Sequence, residues 1–223
     1  MRRYAGVLLD VDGTLVDSND AHAHAWVETL AAYHLDVAFP RVRRMIGMGG
    51  DRLIEECGGP PRGTKQNKKI GEERSKRFRA SWLRHVNPLP GARELVLRLR
   101  AEGYRYAIAS AAKTDELVPL LEIADLVDLC DVCTTSSDVE ESKPDPEIVD
   151  AAVAKLSAER SRTVMIGDTP YDVEAASGAS VDIIGVTAGG WSIEGLAGAV
   201  AVYRGPADLL ARWDESPLGR RLV

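Results

Sequence analysis

Short apolar runs alternate with amphipathic stretches from residue 87 to residue 223. Such runs are typical of buried strands, whereas apolar positions three and four residues apart are typical of helices that pack on one face. This pattern predicts strands at 104–109, within 126–134, and at 163–166, 181–186 and 200–202. It predicts helices at 92–101, 114–123, 146–156, 171–177 and 207–213. Strands and helices that alternate in this way predict an α/β fold with a Rossmann-like parallel sheet between helices.

Residues 17–86 interrupt the alternation and have an almost wholly helical pattern. We expect a helix that begins at Asn19 or Asp20, and further helices at 40–46, 50–57 and 65–86. The breakers Gly58-Gly59-Pro60-Pro61 separate the last two. An insert at this point of the chain would lie over the carboxyl edge of the sheet. The sequence therefore predicts a catalytic core formed by residues 1–16 and 87–223, and an α-helical cap domain formed by residues 17–86.

Two carboxylates follow the first apolar run, Gly6–Leu9. Side chains two positions apart on a strand point to the same side, so Asp10 and Asp12 should project together. Gly13 then permits a sharp turn. Two like charges on one side repel each other, and a divalent cation or a shared proton is the usual way to hold them.

Further polar residues follow other predicted strands or lie in loops. Ser110 ends the run 106–109, Asp168 and Asp172 follow the run 163–166, and Lys143 precedes Pro144. Ligands of open parallel sheets bind beyond the carboxyl ends of the strands. These residues are therefore candidates for one shared site.

Composition narrows the class of protein. The chain has 223 residues, of which 45% are hydrophobic, as expected for a globular protein with a sizeable core. Its apolar runs are far shorter than the roughly 20 residues needed to cross a bilayer. We therefore expect a cytoplasmic protein without a membrane partner.

The chain has three cysteines, Cys57, Cys130 and Cys133, and this small odd number argues against a disulfide framework. Cys130-x-x-Cys133 is also compatible with a zinc or redox site. A structural zinc site would require two more ligands, and this pair lies in the strand-like run 129–134. We therefore favour a purely structural role for these cysteines.

The net charge of −6 is unevenly distributed, because residues 17–88 hold 13 Lys and Arg against 9 Asp and Glu. This basic segment could attract an anionic substrate. Most of its cations follow helical spacing without interleaved aromatics, which favours a solvated helix face and argues against a nucleic-acid partner. The cations concerned are Lys65, Lys68, Lys69, Arg74, Lys76, Arg77 and Arg79.

Four segments of the chain resemble, in their order, the motifs of the haloacid dehalogenase superfamily. They are Asp10-Val11-Asp12-Gly13-Thr14, Ser110, Lys143-Pro144 and Gly167-Asp168-x-x-x-Asp172. The resemblance covers nearly the whole chain. The helical insert resembles the cap of the branch that contains phosphoglycolate phosphatase and β-phosphoglucomutase.

The resemblance implies a role for each matching residue. Asp10 would be the nucleophile that forms an aspartyl-phosphate, and Asp12 the general acid and base, with a pKa that nearby negative charge raises. Mg²⁺ would contact Asp10, Asp168 and the backbone carbonyl of Asp12, while Asp172 would orient Lys143 or a metal-bound water. The Ser110 hydroxyl and backbone N–H groups including that of Ala111 would bind phosphate, and Lys143 would add positive charge.

Asp12 distinguishes among the reactions of the superfamily. A halide ion is a good leaving group without protonation, whereas an alkoxide must be protonated to leave. Members that cleave carbon–halogen or carbon–phosphorus bonds resemble this chain in Asp10 but lack an acid at the second position. Asp12 therefore favours phosphate-ester chemistry.

Two cap residues are candidates for substrate contacts. His22-x-x-x-Trp26 resembles the start of the cap in β-phosphoglucomutase-like members, where the histidine lies near the active-site entrance. The alternative is that His22 is partnered within the cap. Phosphoglucomutase relatives carry an arginine at the place of Gly50, and Arg43, Arg44 or Arg52 could substitute for it here. The glycine at this position departs from the pattern of the phosphoglucomutase relatives and argues against mutase activity.

We thus expect a Mg²⁺-dependent phosphatase that acts on a small phosphorylated metabolite, as a monomer or a homodimer. One alternative is a β-phosphoglucomutase-like phosphotransferase. The other is a non-catalytic binding protein on the same scaffold.

Overall fold

The computed structural model describes residues 3–220. Its strands are β1 (Gly6–Leu9), β2 (Val16–Asp17), β3 (Asn87–Pro88), β4 (Arg105–Ala109), β5 (Cys133–Thr134), β6 (Thr163–Gly167), β7 (Asp182–Val186) and β8 (Ala201–Tyr203). Its α-helices are α1 (Asn19–Ala32), α2 (Phe39–Arg43), α3 (Gly50–Glu56), α4 (Lys65–Arg77), α5 (Ala92–Ala101), α6 (Thr114–Ile123), α7 (Glu147–Leu156), α8 (Pro170–Gly178) and α9 (Pro206–Ala211). None of the described helices is both long and apolar enough to cross a membrane.

Six of the strands form one parallel sheet in the order β5-β4-β1-β6-β7-β8. The central strand β1 pairs on one side with β4 and on the other with β6, so Leu9 lies between Ile108 and Ile166. The chain reverses its direction of winding at β1, which creates the crevice where open α/β sheets bind ligands. The Rossmann-like α/β fold predicted from the sequence is confirmed.

Successive residues of β1 face opposite sides of the sheet and belong to two apolar clusters. Val7 and Leu9 pack in a cluster that includes buried residues of α5, α6 and α9. Leu8 packs in the other cluster, which includes buried residues of α7 and α8. Because both faces are covered, every residue of β1 is buried, and its carboxyl end is held rigidly.

The segment between β2 and β3 contains α1 to α4 and then a π-helical turn, Phe78–Trp82. β2 and β3 pair antiparallel, so the chain leaves and re-enters the core at one place. A third apolar cluster lies within this segment and includes Trp26, Leu30 and Ile70. This separate cluster supports the proposal that residues 17–86 form a cap. Of the predicted core, residues 1–2 and 221–223 lie outside the described residues.

The observed helices agree with those predicted from the periodic segments, and α5 and α6 begin and end at the predicted residues. The helix expected over 65–86 is divided, because α4 ends at Arg77 and a π-helical turn follows. Phe78 begins that turn, is fully buried and packs with the sheet's apolar cluster rather than with that of the cap. The β2–β3 pair was not predicted.

The structure corrects the expectation for the paired cysteines, because Cys130 and Cys133 form a disulfide. In a continuous strand their Cα atoms would lie about 10 Å apart. A helical turn at Val127–Leu129 replaces the first part of the predicted strand, and the two Cα atoms lie 6.5 Å apart. That separation is within the range that a disulfide spans. Cys57 is buried as a free thiol.

Two leucines of α5 allow a direct test of this packing. Leu95 is fully buried and Leu97 is 41% exposed. We expect Leu95→Ala to lower the free energy of unfolding by about 2–5 kcal/mol, since it leaves a cavity in the core. Leu97→Ala should change the free energy of unfolding by less than about 0.5 kcal/mol, because the side chain is largely exposed and leucine and alanine have similar helix propensities. Urea denaturation measures both values, and equal losses would contradict the described orientation of α5.

Candidate active site

Three adjacent strands end at one point of the sheet. Asp10 follows β1, Ser110 follows β4 and Asp168 follows β6, and all three residues are buried. The Asp10 amide donates to the Ile166 carbonyl at 3.0 Å, which continues the β1–β6 pairing past the end of the strand. The parallel sheet thus brings together residues that are far apart in the sequence.

Lys143 reaches this point from the loop before α7 and is 1% exposed. Its Nζ donates to Asp10 Oδ1 at 2.6 Å, to Asp172 Oδ1 at 2.7 Å and to the Ala109 carbonyl at 3.3 Å. Burial alone would lower the pKa of Lys143, but the charges of Asp10 and Asp172 outweigh it and raise the pKa above its ordinary value. Lys143 therefore stays charged beside Asp10.

Asp172 has a structural role as well as a place in the site. It is the third residue of α8, and its Oδ2 accepts hydrogen bonds from Thr169 N at 3.0 Å and Thr169 Oγ1 at 2.7 Å. The Thr169 hydroxyl in turn accepts from the Asp172 amide, which completes a capping box. Since Asp172 Oδ1 contacts Lys143, the start of α8 positions the ammonium group.

Asp10, Asp168 and Asp172 form an acidic cluster in which one oxygen of each lies within 4.8 Å of the others. When all three carboxylates are ionised, they exceed the single ammonium group of Lys143 by two negative charges. Hard divalent cations such as Mg²⁺ prefer oxygen ligands of this type, so the donor set fits such an ion.

Protons compete with a cation for this cluster. Burial raises the pKa of Asp10 to about 7, with Lys143 opposing the shift and Asp172 and Asp12 adding to it. Burial also raises the pKa of Asp168 well above its usual range, and the charges of Asp172 and Asp10 add to this effect. Cation binding should therefore strengthen as the pH rises.

The carboxylate of Asp12 is not part of the acidic cluster and faces the cap. Its Oδ1 accepts hydrogen bonds from His22 Nε2 at 2.8 Å and from Ser18 Oγ. Burial alone would raise the pKa of Asp12, but the attraction and hydrogen bond of His22, the hydrogen bond of Ser18 and the charge of Arg74 lower it. The prediction of a raised pKa is wrong, because the nearest groups are donors rather than carboxylates.

His22 connects Asp12 to a second network. Arg74 Nη1 lies 3.2 Å from His22 Nδ1, while His22 Nε2 contacts the Asp12 carboxylate. Arg74 Nη1 also lies 2.7 Å from Glu116 Oε2, and Ser75 Oγ donates to the other oxygen of Glu116. His22 therefore has partners in both the cap and the core, and its ring stacks on Phe78 with centroids 3.9 Å apart.

The structure also corrects the expected place of Arg74. Its side chain is only 14% exposed and pairs with Glu116, whose side chain is 1% exposed. Arg74 therefore does not belong to the solvated helix face. No sequence signal separates it from the cations around it, because its partner lies on α6, far along the chain.

A cavity of about 60 Å³ lies above Asp10 and Asp12. Ala111 and Lys143 line it from the core, and His22 and Arg74 line it from the cap. Ser110 directly follows β4, and its Oγ accepts a hydrogen bond from the Ala112 amide at 3.1 Å. The hydroxyl hydrogen of Ser110 remains available to a ligand.

Arg52 does not line this cavity. Its Nη2 lies 3.1 Å from Glu141 Oε2, so it bridges α3 and the loop that precedes Lys143. The expectation that Arg52 contacts substrate is therefore not supported, and Arg74 is the arginine that faces the cavity.

Comparison with known proteins agrees with this geometry. Residues 7–186 match the family described as haloacid dehalogenase-like hydrolase. Phosphoglycolate phosphatase from Rhodospirillum rubrum is 31% identical over 88% of this chain and 86% of its own length. Pyrophosphatase PpaX from Halalkalibacterium halodurans is 29% identical, over 78% and 80% respectively. The crystal structure of a hydrolase from Pseudomonas syringae has a TM-score of 0.85 and 31% identity, covering 94% of this chain and 98% of that one. The chain belongs to the haloacid dehalogenase-like hydrolase family and is an enzyme of its phosphatase group.

Proposed function

We propose that the protein is a Mg²⁺-dependent phosphatase that hydrolyses a small phosphorylated metabolite through an aspartyl-phosphate on Asp10. The observation that carries this proposal is the contact of Asp10 Oδ1 with the buried Lys143 ammonium group at 2.6 Å. Asp10 lines the cavity, and its Oδ2 accepts no hydrogen bond from the described residues 3–220. One carboxylate oxygen is thus held while the other is available for attack.

Asp10, Asp168 and the backbone carbonyl of Asp12 would hold the Mg²⁺ ion, with Asp172 contributing a ligand or orienting Lys143. When bound, this ion supplies positive charge that offsets the repulsion between an anionic nucleophile and an anionic phosphate. The excess negative charge of the acidic cluster supports this assignment.

In the first step, an oxygen of Asp10 forms a bond to phosphorus while the bond from phosphorus to the leaving oxygen breaks. That oxygen takes the proton of Asp12. In the second step, water gives a proton to Asp12 and attacks phosphorus, which breaks the bond to Asp10 and frees phosphate. The lowered pKa of Asp12 keeps its carboxylate ionised, which is the form that accepts a proton from water in the second step. A phosphate placed beside it adds negative charge and favours the protonated form that the first step requires.

The cap would close the site around substrate and limit its size. The cavity above Asp10 is bordered by Lys143 of the core and by His22 and Arg74 of the cap. A neighbouring cavity of about 320 Å³ between cap and core shares Trp26, Gly50, Arg74 and Ala111 with it. Its size suits the leaving group of a small metabolite. The relatives named for pyrophosphate and phosphoglycolate support a substrate of this class.

Replacement of the nucleophile tests the proposal. We expect Asp10→Asn to lower Mg²⁺-dependent release of phosphate from p-nitrophenyl phosphate by about a thousandfold or more, since an amide cannot form the acyl phosphate. Asp131→Asn, which removes an exposed carboxylate before β5, is the matched control and should retain full activity. Activity that survives Asp10→Asn would refute the assignment, and a wild-type protein inactive on a panel of phosphorylated metabolites would favour a binding protein.

The contact of His22 with Asp12 predicts a change in pH dependence. His22→Ala removes a group that lowers the pKa of Asp12, so that pKa should rise. Hydrolysis of p-nitrophenyl phosphate has a good leaving group and depends on Asp12 mainly as a base. At saturating Mg²⁺, where hydrolysis of the aspartyl-phosphate limits kcat and Asp10 carries the phosphoryl group, the rising limb of kcat against pH should therefore move to higher pH.

His24→Ala is the control, because His24 lies on the same helix but stacks on Trp82, with ring centroids 4.3 Å apart. It should leave the limb in place. An unchanged limb in His22→Ala would show that His22 does not tune the catalytic carboxylate.

A further inference from the structure

Asn19 is the first residue of α1 and is 1% exposed. Its Nδ2 donates to Asp168 Oδ2 at 2.9 Å and to the Gly189 carbonyl at 3.2 Å. Arg43 of α2 also donates to the Gly189 carbonyl, at 2.6 Å. One amide group therefore joins the carboxylate of Asp168 to the turn at Thr187–Gly189 and to the start of the cap.

Two glycines close around this contact. A Cβ atom on Gly13 would lie 2.3 Å from both Asn19 Nδ2 and Asp168 Oδ2. A Cβ atom on Gly189 would lie 1.6 Å from Asp168 Oδ2. Gly13 also has a φ of +74°, which other residues rarely adopt. The backbone on both sides thus leaves space for the Asn19–Asp168 pair and for little else.

The other end of the Asn19 amide points to a ligand. Asn19 Oδ1 is buried and accepts no hydrogen bond within residues 3–220. Buried acceptors without donors are rare and costly, so a donor is expected at this position. Mg²⁺ in proteins usually retains several water molecules, and such waters are hydrogen-bond donors. An ion held by Asp10 and Asp168 would bring donors of this kind close to Asn19.

We propose that Asn19 is a positioning residue for the metal site, which fixes the carboxylate of Asp168 and links ion binding to the first helix of the cap. This inference rests on the proposed Mg²⁺ dependence. Without the Nδ2 donor, Asp168 Oδ2 loses its 2.9 Å contact, and the carboxylate must be ordered by the ion itself. Partners that orient metal ligands typically change metal affinity by about 10–100-fold when they are removed.

Asn67 provides a matched control. It is 2% exposed, and its Nδ2 donates to two backbone carbonyls, those of Asp51 at 3.0 Å and Pro60 at 2.9 Å. All three residues lie in the cap and none belongs to the acidic cluster. Asn67→Ala therefore removes an equally buried amide without touching Asp168.

Calorimetric titration of the full chain with MgCl₂, without substrate, tests the inference. We expect Asn19→Ala to weaken the Mg²⁺ Kd by about 10–100-fold. Asn67→Ala should leave it within about twofold of wild type, even if it lowers the melting temperature as much. Asn19→Leu, which keeps the side-chain volume, should weaken binding like Asn19→Ala and decides the test if the smaller variant does not fold.

The activity of Asn19→Ala should recover at saturating Mg²⁺, so that its half-saturating Mg²⁺ concentration rises while its kcat changes little. A folded Asn19 variant that binds Mg²⁺ as tightly as wild type would overturn the inference. Failure of the proposed function is distinguishable, because the wild-type protein would then bind no Mg²⁺ or would hydrolyse phosphate esters without it.

Discussion

The site depends on one buried ammonium group, that of Lys143, held between Asp10 and Asp172. A buried charge costs several kcal/mol unless it is closely paired, so each of the three residues requires the others. Asp172 is fixed by the capping box of α8, and Asp10 by the central strand of the sheet. The helix start, the strand end and the loop before α7 are therefore held in one arrangement by a single cation.

Asp12, the proposed acid and base, is held by different elements from Asp10, the proposed nucleophile. Asp12 leaves the same strand as Asp10, but its carboxylate contacts Ser18 and His22 rather than Lys143. His22 is in turn held by Arg74, which is paired with Glu116 of α6. The two aspartates thus occupy environments that shift their pKa values in opposite directions.

Local signals explain what the sequence could predict. The leucine spacing of α5 and the apolar runs of β1 and β6 are properties of short segments, and they were predicted with close boundaries. The position of Asp168 beside Asp10 followed from the parallel sheet alone. Contacts that depend on packing were missed: the pairing of Arg74 with Glu116, the donors around Asp12 and the turn that brings Cys130 to Cys133. Each depends on how the cap or a loop packs, which no single segment encodes.

Asp10 is the residue proposed to become phosphorylated during turnover. Acid quenching of the wild-type enzyme during hydrolysis, followed by borohydride reduction and peptide mass spectrometry, tests this phosphorylation directly, because an acyl phosphate is reduced to an alcohol whereas a free carboxylate is not. The account predicts homoserine at position 10 and unmodified aspartate at position 12. Reduction at another residue would contradict phosphorylation of Asp10. So would the absence of any reduced residue in samples quenched at steady state under conditions where the second step limits the rate.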